Sequence, residues 1–220
     1  MTIGLADLVR NRTMSAEIAA TLASAVEERR SFLVFAIPRL AGKTTVLEAM
    51  LARASSDTPI RSVTSEPSEI SRLRSGDGRG YLLIPEITPH PVMPGYIWGA
   101  AVRRVFGVLE RGYALAAALH APTAEAAFQQ ITGGCEVPDE QASRIQLAVY
   151  VRSIGEWQSP TRRVIQAVHE VDGVKNGRPR LRALHVWDEA HDRFTTVNEP
   201  KITSTERWAR LASDLGKAAV

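Results

Sequence analysis

Ile18, Leu22 and Val26 recur at helical spacing through "AEIAATLASAVEERR". Ser15 stands just before them as an N-cap, and Glu17 falls where a carboxylate favours a helix start. The next run, "FLVFAI" (32–37), is apolar throughout, as expected of a strand buried on both faces of a parallel sheet. A helix is predicted over "GKTTVLEAMLARA", and "PIRSVT" (59–64) and "YLLI" (81–84) read as further buried strands. From 96 to 109, Val102, Val105, Phe106 and Leu109 share one helical face. "YALAAALH" reads as a strand, and Pro122 opens a helix at the position where its missing N–H matters least. Strand and helix alternate over this part, which predicts an α/β fold with a mostly parallel sheet and helices on its faces.

The period changes after "GGCEVPDE". Ile145, Leu147, Val149 and Val151 alternate with Arg144, Gln146 and Arg152, the pattern of a half-buried antiparallel strand. "RRVIQAVHEV", "RLRALHVW" and "RFTTV" continue as strands between Gly, Pro, Asn and Asp turns. A last helix is predicted from Thr203, where "TSTE" forms a capping box with Glu206 and Trp208, Leu211 and Leu215 form the buried stripe. The expected organisation is one domain over 1–220, with a core at 1–135 and antiparallel strands plus a final helix at 136–220.

Composition narrows the classes without choosing one. The chain has 220 residues, 45% hydrophobic and 23% charged, an ordinary globular balance. A net charge of +3 is too small to argue for nucleic acid, and the basic "KNGRPRLR" reads as a solvated hairpin. One cysteine, Cys135, excludes an internal disulfide framework and fits a reducing compartment. The start "MTIGLADLVRNR" has no apolar stretch after a basic head. No apolar run approaches the ~20 residues that cross a bilayer. The expected location is therefore cytoplasmic, compatible with docking at the inner face of a membrane.

Candidate chemistry gathers at the ends of the first strands. A phosphate-binding loop needs close backbone approach, inward N–H groups and a helix N-terminus facing the anion. "AGKTT" (41–45) lies between a strand and a helix: Gly42 permits approach, Lys43 reaches terminal phosphates, and Thr44 offers a hydroxyl to Mg2+. The full pattern G-x-x-x-x-G-K-[ST] would put its first glycine at Ile37, so it is not met, and a Gly-Lys-Thr tripeptide also opens ordinary helices. Glu86 follows "YLLI", where a carboxylate can hold water or metal. His120 ends "YALAAALH", and Glu66 follows "IRSVT". Each alone reads as a surface residue; together they lie beyond carboxyl ends of strands, where open α/β sheets bind ligands.

Their order resembles that of the secretion and pilus-assembly traffic ATPases, the RecA-like P-loop motors of type II and type IV secretion and type IV pili. The likeness runs from about Leu5 to Val197. The stretch through "FLVFAIPRLAGKTTVLEAML" resembles their Walker A segment, "VTSEPSEI" their Asp box, "LLIPEI" their atypical Walker B and "RGYALAAALHAPTAEAAFQQI" their His box. "SRIQLAVYVRSIGEWQSPTRRVIQAVHEV" resembles the strand pair that closes their catalytic domain. The resemblance implies ATP and Mg2+ as cofactors. Pro38, Ala41, Gly42, Lys43, Thr44 and Thr45 would form the nucleotide loop, with Thr44 and Glu86 at the metal. Glu86, His120 and Glu66 would be catalytic, Glu86 orienting water and His120 sensing the terminal phosphate. It further implies a homo- or hetero-oligomeric ring, hexameric by analogy, with inner-membrane secretion or pilus components as partners and no nucleic acid.

The departures are specific. Ile37 and Leu40 replace two glycines, Ser65 and Glu66 stand for Glu-Asp, Pro85 precedes Glu86 in place of glycine, and Tyr113 replaces the first histidine of the His box. Arg72, Arg74 and Arg79 stand in for phosphate-facing arginines, and Arg103, Arg104 and Arg152 are the candidates for an arginine given to a neighbouring subunit. Only about thirty residues precede the loop, where the family normally carries a further N-terminal domain. Two readings stay open: an ATPase that drives a secretion or pilus machine, and a degenerate nucleotide-binding subunit that partners an active relative. Turnover, and its loss on Glu86→Gln, separates them.

Overall fold

The computed structural model describes residues 3–38, 40–90, 92–156 and 158–220. Arg39, inside the Walker A-like stretch, and Trp157, inside the closing strand pair, lie outside the described residues. In chain order the first half contains α1 (Leu5–Arg10), α2 (Ala16–Glu27), β1 (Ser31–Ile37), α3 (Lys43–Leu51), β2 (Ile60–Ser62), α4 (Pro67–Ser75), β3 (Tyr81–Ile87), β4 (Tyr96–Ile97), α5 (Ala100–Val108) and β5 (Ala114–His120). The second half contains α6 (Ala124–Gln129), α7 (Asp139–Ala142), β6 (Ile145–Glu156), β7 (Ser159–Lys175), β8 (Arg178–Asp188), β9 (Arg193–Thr196) and α8 (Thr205–Ala218).

Among the described residues the strands form one sheet in the order β2-β3-β5-β1-β6-β7-β8-β9, with β4 paired to β3. The pairs from β2 to β6 are parallel, and those from β6 to β9 are antiparallel. This is the mostly parallel α/β sheet with an antiparallel C-terminal extension that the alternation predicts. β1 lies between β5 and β6, and its residues alternate strictly between the two faces. Phe32, Val34 and Ala36 pack with α1, α2, α3 and α8, while Leu33 and Phe35 pack with α4, α5, α6 and α7. Burial on both faces is why the run is apolar from Phe32 to Ala36, whereas Ile37, expected to be buried with them, is exposed at the end of the strand. In β5 the core positions are mostly alanine, all buried, so helices approach the sheet closely beside the strand that ends at His120.

α2 forms as expected: Ser15 Oγ accepts from the Ile18 N–H, and residues 18–26 are buried. The hairpin at "KNG" also forms, with Asn176 at φ 53° and Gly177 at φ 72°, the left-handed pair a tight two-residue turn requires. α8 packs on α2 through a buried polar chain. Trp208 Nε1 donates to Thr21 Oγ1 (2.9 Å), which is 2.8 Å from His185 Nε2; His185 Nδ1 lies 3.1 Å from Thr196 Oγ1.

Several elements differ from the sequence reading. β2 is short and exposed rather than buried, because it pairs only with the start of β3 at one edge. The segment from 96 opens with β4 and turns helical at Ala100, although Val102, Val105, Phe106 and Leu109 are buried as expected. Pro122 lies just outside α6; the cap is Thr123, whose hydroxyl accepts from the Ala126 N–H. α8 is capped one residue later than predicted, by Ser204 accepting from the Arg207 N–H. β6 is antiparallel to β7 but parallel to β1, so its alternating residues face two helical layers instead of one core and solvent.

Candidate functional site

The carboxyl ends of β1, β3 and β5 converge on one cavity of about 580 Å3. Its floor is the turn from β1 into α3. Residues 40–45 all line it, together with Glu86, Tyr96, His120 and Arg163. Gly42 is the residue before α3, at φ 97° and ψ 15°, a conformation that carries no Cβ penalty only in glycine. The first N–H groups of a helix have no partner within it, so the start of α3 presents donors and a partial positive charge at this wall.

Three charged or polar side chains meet there. Lys43 is 7% exposed and Glu86 6% exposed, and Lys43 Nζ lies 3.4 Å from Glu86 Oε2. His120 closes the triangle, with Nε2 at 3.1 Å from Lys43 Nζ and 3.7 Å from Glu86 Oε1. Its Nδ1 is 3.3 Å from the Ala36 carbonyl, and its own carbonyl accepts from Gln130 Nε2 at 2.6 Å. A proton on Nδ1 satisfies this set: Nδ1–H donates to Ala36, and Nε2 accepts from the ammonium. Burying a lysine and a glutamate costs desolvation that their attraction alone seldom repays. A sequence that keeps such a pair at strand ends breaks the rules of a plain core, and such breaks concentrate at functional sites.

Glu86 lies inside β3 rather than after it. Pro85 falls where the β3–β5 register breaks between Ile84 and Ile87, so its missing N–H leaves no ladder bond unmade. β4 pairs with this last stretch of β3, Glu86 opposite Tyr96, and holds the carboxylate over the cavity.

The structure brings Ala41, Gly42, Lys43, Thr44, Thr45, Glu86 and His120 together. Pro38 ends the approach to the loop but does not line the cavity, and Glu66 is not brought to it. Glu66 is exposed and occupies the cap position before Pro67 of α4, with no capping hydrogen bond from its side chain. The three arginines read as candidates for a neighbouring subunit's site make contacts within this chain. Arg103 pairs with Glu136, Arg104 Nε donates to the Ser65 carbonyl, and Arg152 pairs with Glu189 beside Trp187. Among the described residues, Arg163 of β7 lines the cavity. Its Nε donates to the Leu40 carbonyl at 3.0 Å, and its Cδ lies 2.8 Å from where a Cβ on Gly42 would sit. Its basic neighbours in "TRRVIQ" gave no reason to single it out, because the partner lies 123 residues away in sequence.

Among the described residues no group of three or more His, Cys, Asp or Glu side chains could hold a metal by itself. One carboxylate, Glu86, lines the cavity together with hydroxyl residues, Thr44 and Thr45 at the helix start and Thr88 and Tyr96 further along the chain. That donor set suits a hard cation completed by ligand phosphates and water, the usual arrangement for Mg2+. No helix of the described residues is long and apolar enough to cross a membrane.

No family model matches the chain, and no curated protein matches it in sequence. Among solved structures it is similar to the VirB11 ATPase from the Brucella suis type IV secretion system, crystallised in complex with sulphate. The two are 20% identical with a TM-score of 0.46, over 67% of this chain and 50% of that one. The chain thus spans about half the length of that protein.

Proposed function

We propose that the cavity binds the phosphates of a nucleoside triphosphate, ATP with Mg2+, and that the chain is an ATPase of the secretion and pilus-assembly type. The observation that carries this reading is the buried Lys43–Glu86 pair, closed into a triangle by the half-buried His120, at the N-terminus of α3. Lys43 and the first amides of α3 supply positive charge for the β- and γ-phosphates. Thr44 and Glu86 would hold Mg2+, which when bound neutralises charge on the phosphate oxygens. Glu86 orients the attacking water, and His120, within hydrogen-bond reach of Lys43, reports the terminal phosphate to β5. Before a ligand arrives, Lys43 is held by Glu86 and His120. A phosphate must replace those contacts for the lysine, which releases the carboxylate for water.

Titration of MgATP and measurement of its turnover test this directly. Lys43→Ala should weaken MgATP binding at least tenfold. Glu86→Gln should keep binding and reduce turnover by about a hundredfold, the usual size of one lost preorganised contact. MgATP binding unchanged by Lys43→Ala would remove the phosphate role. Binding by the wild type with no turnover would favour the second reading, a nucleotide-binding subunit partnering an active relative. The departure at Leu40 favours that second reading, because it puts a side chain at the cavity where close phosphate approach normally uses glycine. A ring of subunits at a secretion or pilus machine belongs to the same proposal. Leu40, Val92 and Met93, exposed at the rim of the cavity, suit contact with a neighbouring subunit.

A further inference from the structure

His120 is held by its main chain as well as by its ring. The pairing of β1 with β5 ends at Ala36 and His120, and Pro38 has no N–H with which to extend it. The His120 carbonyl accepts from Gln130 Nε2 at 2.6 Å. Gln130 stands at the end of α6, where the helix widens into a π-helical turn over Gln130–Gly134. Such turns are rare, and they occur frequently at functional sites. This one is fastened on both sides. The Gln130 carbonyl accepts from the Cys135 N–H at 2.8 Å, and the Ile131 carbonyl from the Val137 N–H at 3.1 Å. Thr132 Oγ1 lies 2.9 Å from the Phe128 carbonyl and 3.2 Å from that of Gly177, in the turn between β7 and β8. Ile131 and Cys135 are buried in the core beneath it.

The main chain of Gln130 is therefore fixed, and its half-buried side chain reaches back to His120 from a rigid base. A donor on the His120 carbonyl fixes the peptide plane after that residue, and with it the direction in which the ring leaves the chain. The ring has two contacts to keep, Nδ1 with the Ala36 carbonyl and Nε2 with Lys43 Nζ. A group that works at a site must stay within ~0.5 Å of its productive place, which takes supporting hydrogen bonds. Resting on the phosphate reading above, we propose that Gln130 is a positioning residue for His120. Its amide keeps the ring in register with the terminal phosphate, and the π-helical turn is the frame that holds the amide. Gln130 is not among the residues that line the phosphate cavity, so it acts through His120 and not on the ligand.

Gln130→Met keeps the length of the side chain and removes the donor, and Gln130→Arg returns N–H donors. MgATP affinity, MgATP turnover and the His120 ring signals in proton NMR, assigned by their loss in His120→Asn, are read for each. MgATP should shift the His120 signals of the wild type. Gln130→Met should lower turnover about tenfold, the effect of one net hydrogen bond, with MgATP affinity changed by less than about twofold. It should also lose most of the His120 response, and Gln130→Arg should recover both. Should Gln130→Met lose its native circular dichroism, Gln130→Glu keeps the shape and lacks the donor. If the wild type binds MgATP without turnover, the His120 response decides alone. Four results overturn the positioning role and leave the phosphate site standing. They are wild-type turnover and His120 response in a folded variant without the donor, loss of affinity in step with turnover, no recovery in Gln130→Arg, and wild-type His120 signals that MgATP does not move. No MgATP binding by the wild type overturns the phosphate reading and the positioning role together.

Discussion

Leu40 holds φ 66° with its side chain 64% exposed, so it bears left-handed strain and buries little in return. An L-residue other than glycine pays roughly 1–2 kcal/mol for that region. The turn's strain is thus at Leu40, and Ile37 carries none of it: Ile37 is the last residue of β1, an extended position that β-branched side chains favour. The glycine pattern read from the sequence marks Ile37 and Leu40 alike, but which residue must turn left-handed depends on where the strand ends. Leu40→Gly should therefore stabilise the protein, by about 0.5–1 kcal/mol in urea unfolding after the entropy of the added glycine is subtracted. Gly42→Ala should do the reverse. It places a methyl at φ 97° and within 2.8 Å of Arg163 Cδ, and should cost more than about 1 kcal/mol. If Leu40→Gly also tightens nucleotide binding, the leucine side chain stands in the ligand's way; if it only raises stability, the strain is separate from the site.

At the scale of elements, α8 is fastened to α2 and β8 by His185, which is 1% exposed and stacks on Trp208 at 6.3 Å between ring centroids. Burial lowers the His185 pKa to about 4, with Glu17 pulling weakly the other way. The unfolded chain takes up this proton near the ordinary value of about 6.5, and the folded chain only near 4. Between those values the unfolded state binds more protons, so stability should fall as pH drops from 6.5 towards 4 and level off below. The full loss is about 3 kcal/mol if the shift is taken whole. Urea unfolding at several pH values should show this slope in the wild type and a flatter one in His185→Gln. None of the network was legible in the sequence, because its members lie on α2, β8, β9 and α8 and meet only once the sheet has formed. What was legible was local. Ser15 caps α2, the apolar period gave β1, β3 and β5, and the gathering of Lys43, Glu86 and His120 followed from their places at strand ends. Arg163 and the exposure of β2 were not, since each is decided by a distant neighbour.

Across the whole molecule, the antiparallel extension touches the phosphate turn as well as the sheet. β7 sends Arg163 to the Leu40 carbonyl, and its Ile165 N–H donates to the Thr13 carbonyl at 2.7 Å. A ligand that fixes residues 40–45 must therefore act on β7 through Arg163 as well as on α3. Binding to the folded state alone adds stability by mass action, about 2.7 kcal/mol when free ligand is a hundred times its Kd. Amide hydrogen exchange shows where that stability appears. MgATP should slow exchange at 42–46 and, in the same experiment, at 162–166 on β7. Arg163→Ala should keep the first effect and lose the second, and Lys43→Ala should lose both at a ligand concentration that saturates the wild type. Protection confined to 42–46 in the wild type would mean that the extension merely shields the sheet edge. Protection in both places would make β7 the element through which the nucleotide state reaches β8, β9 and α8.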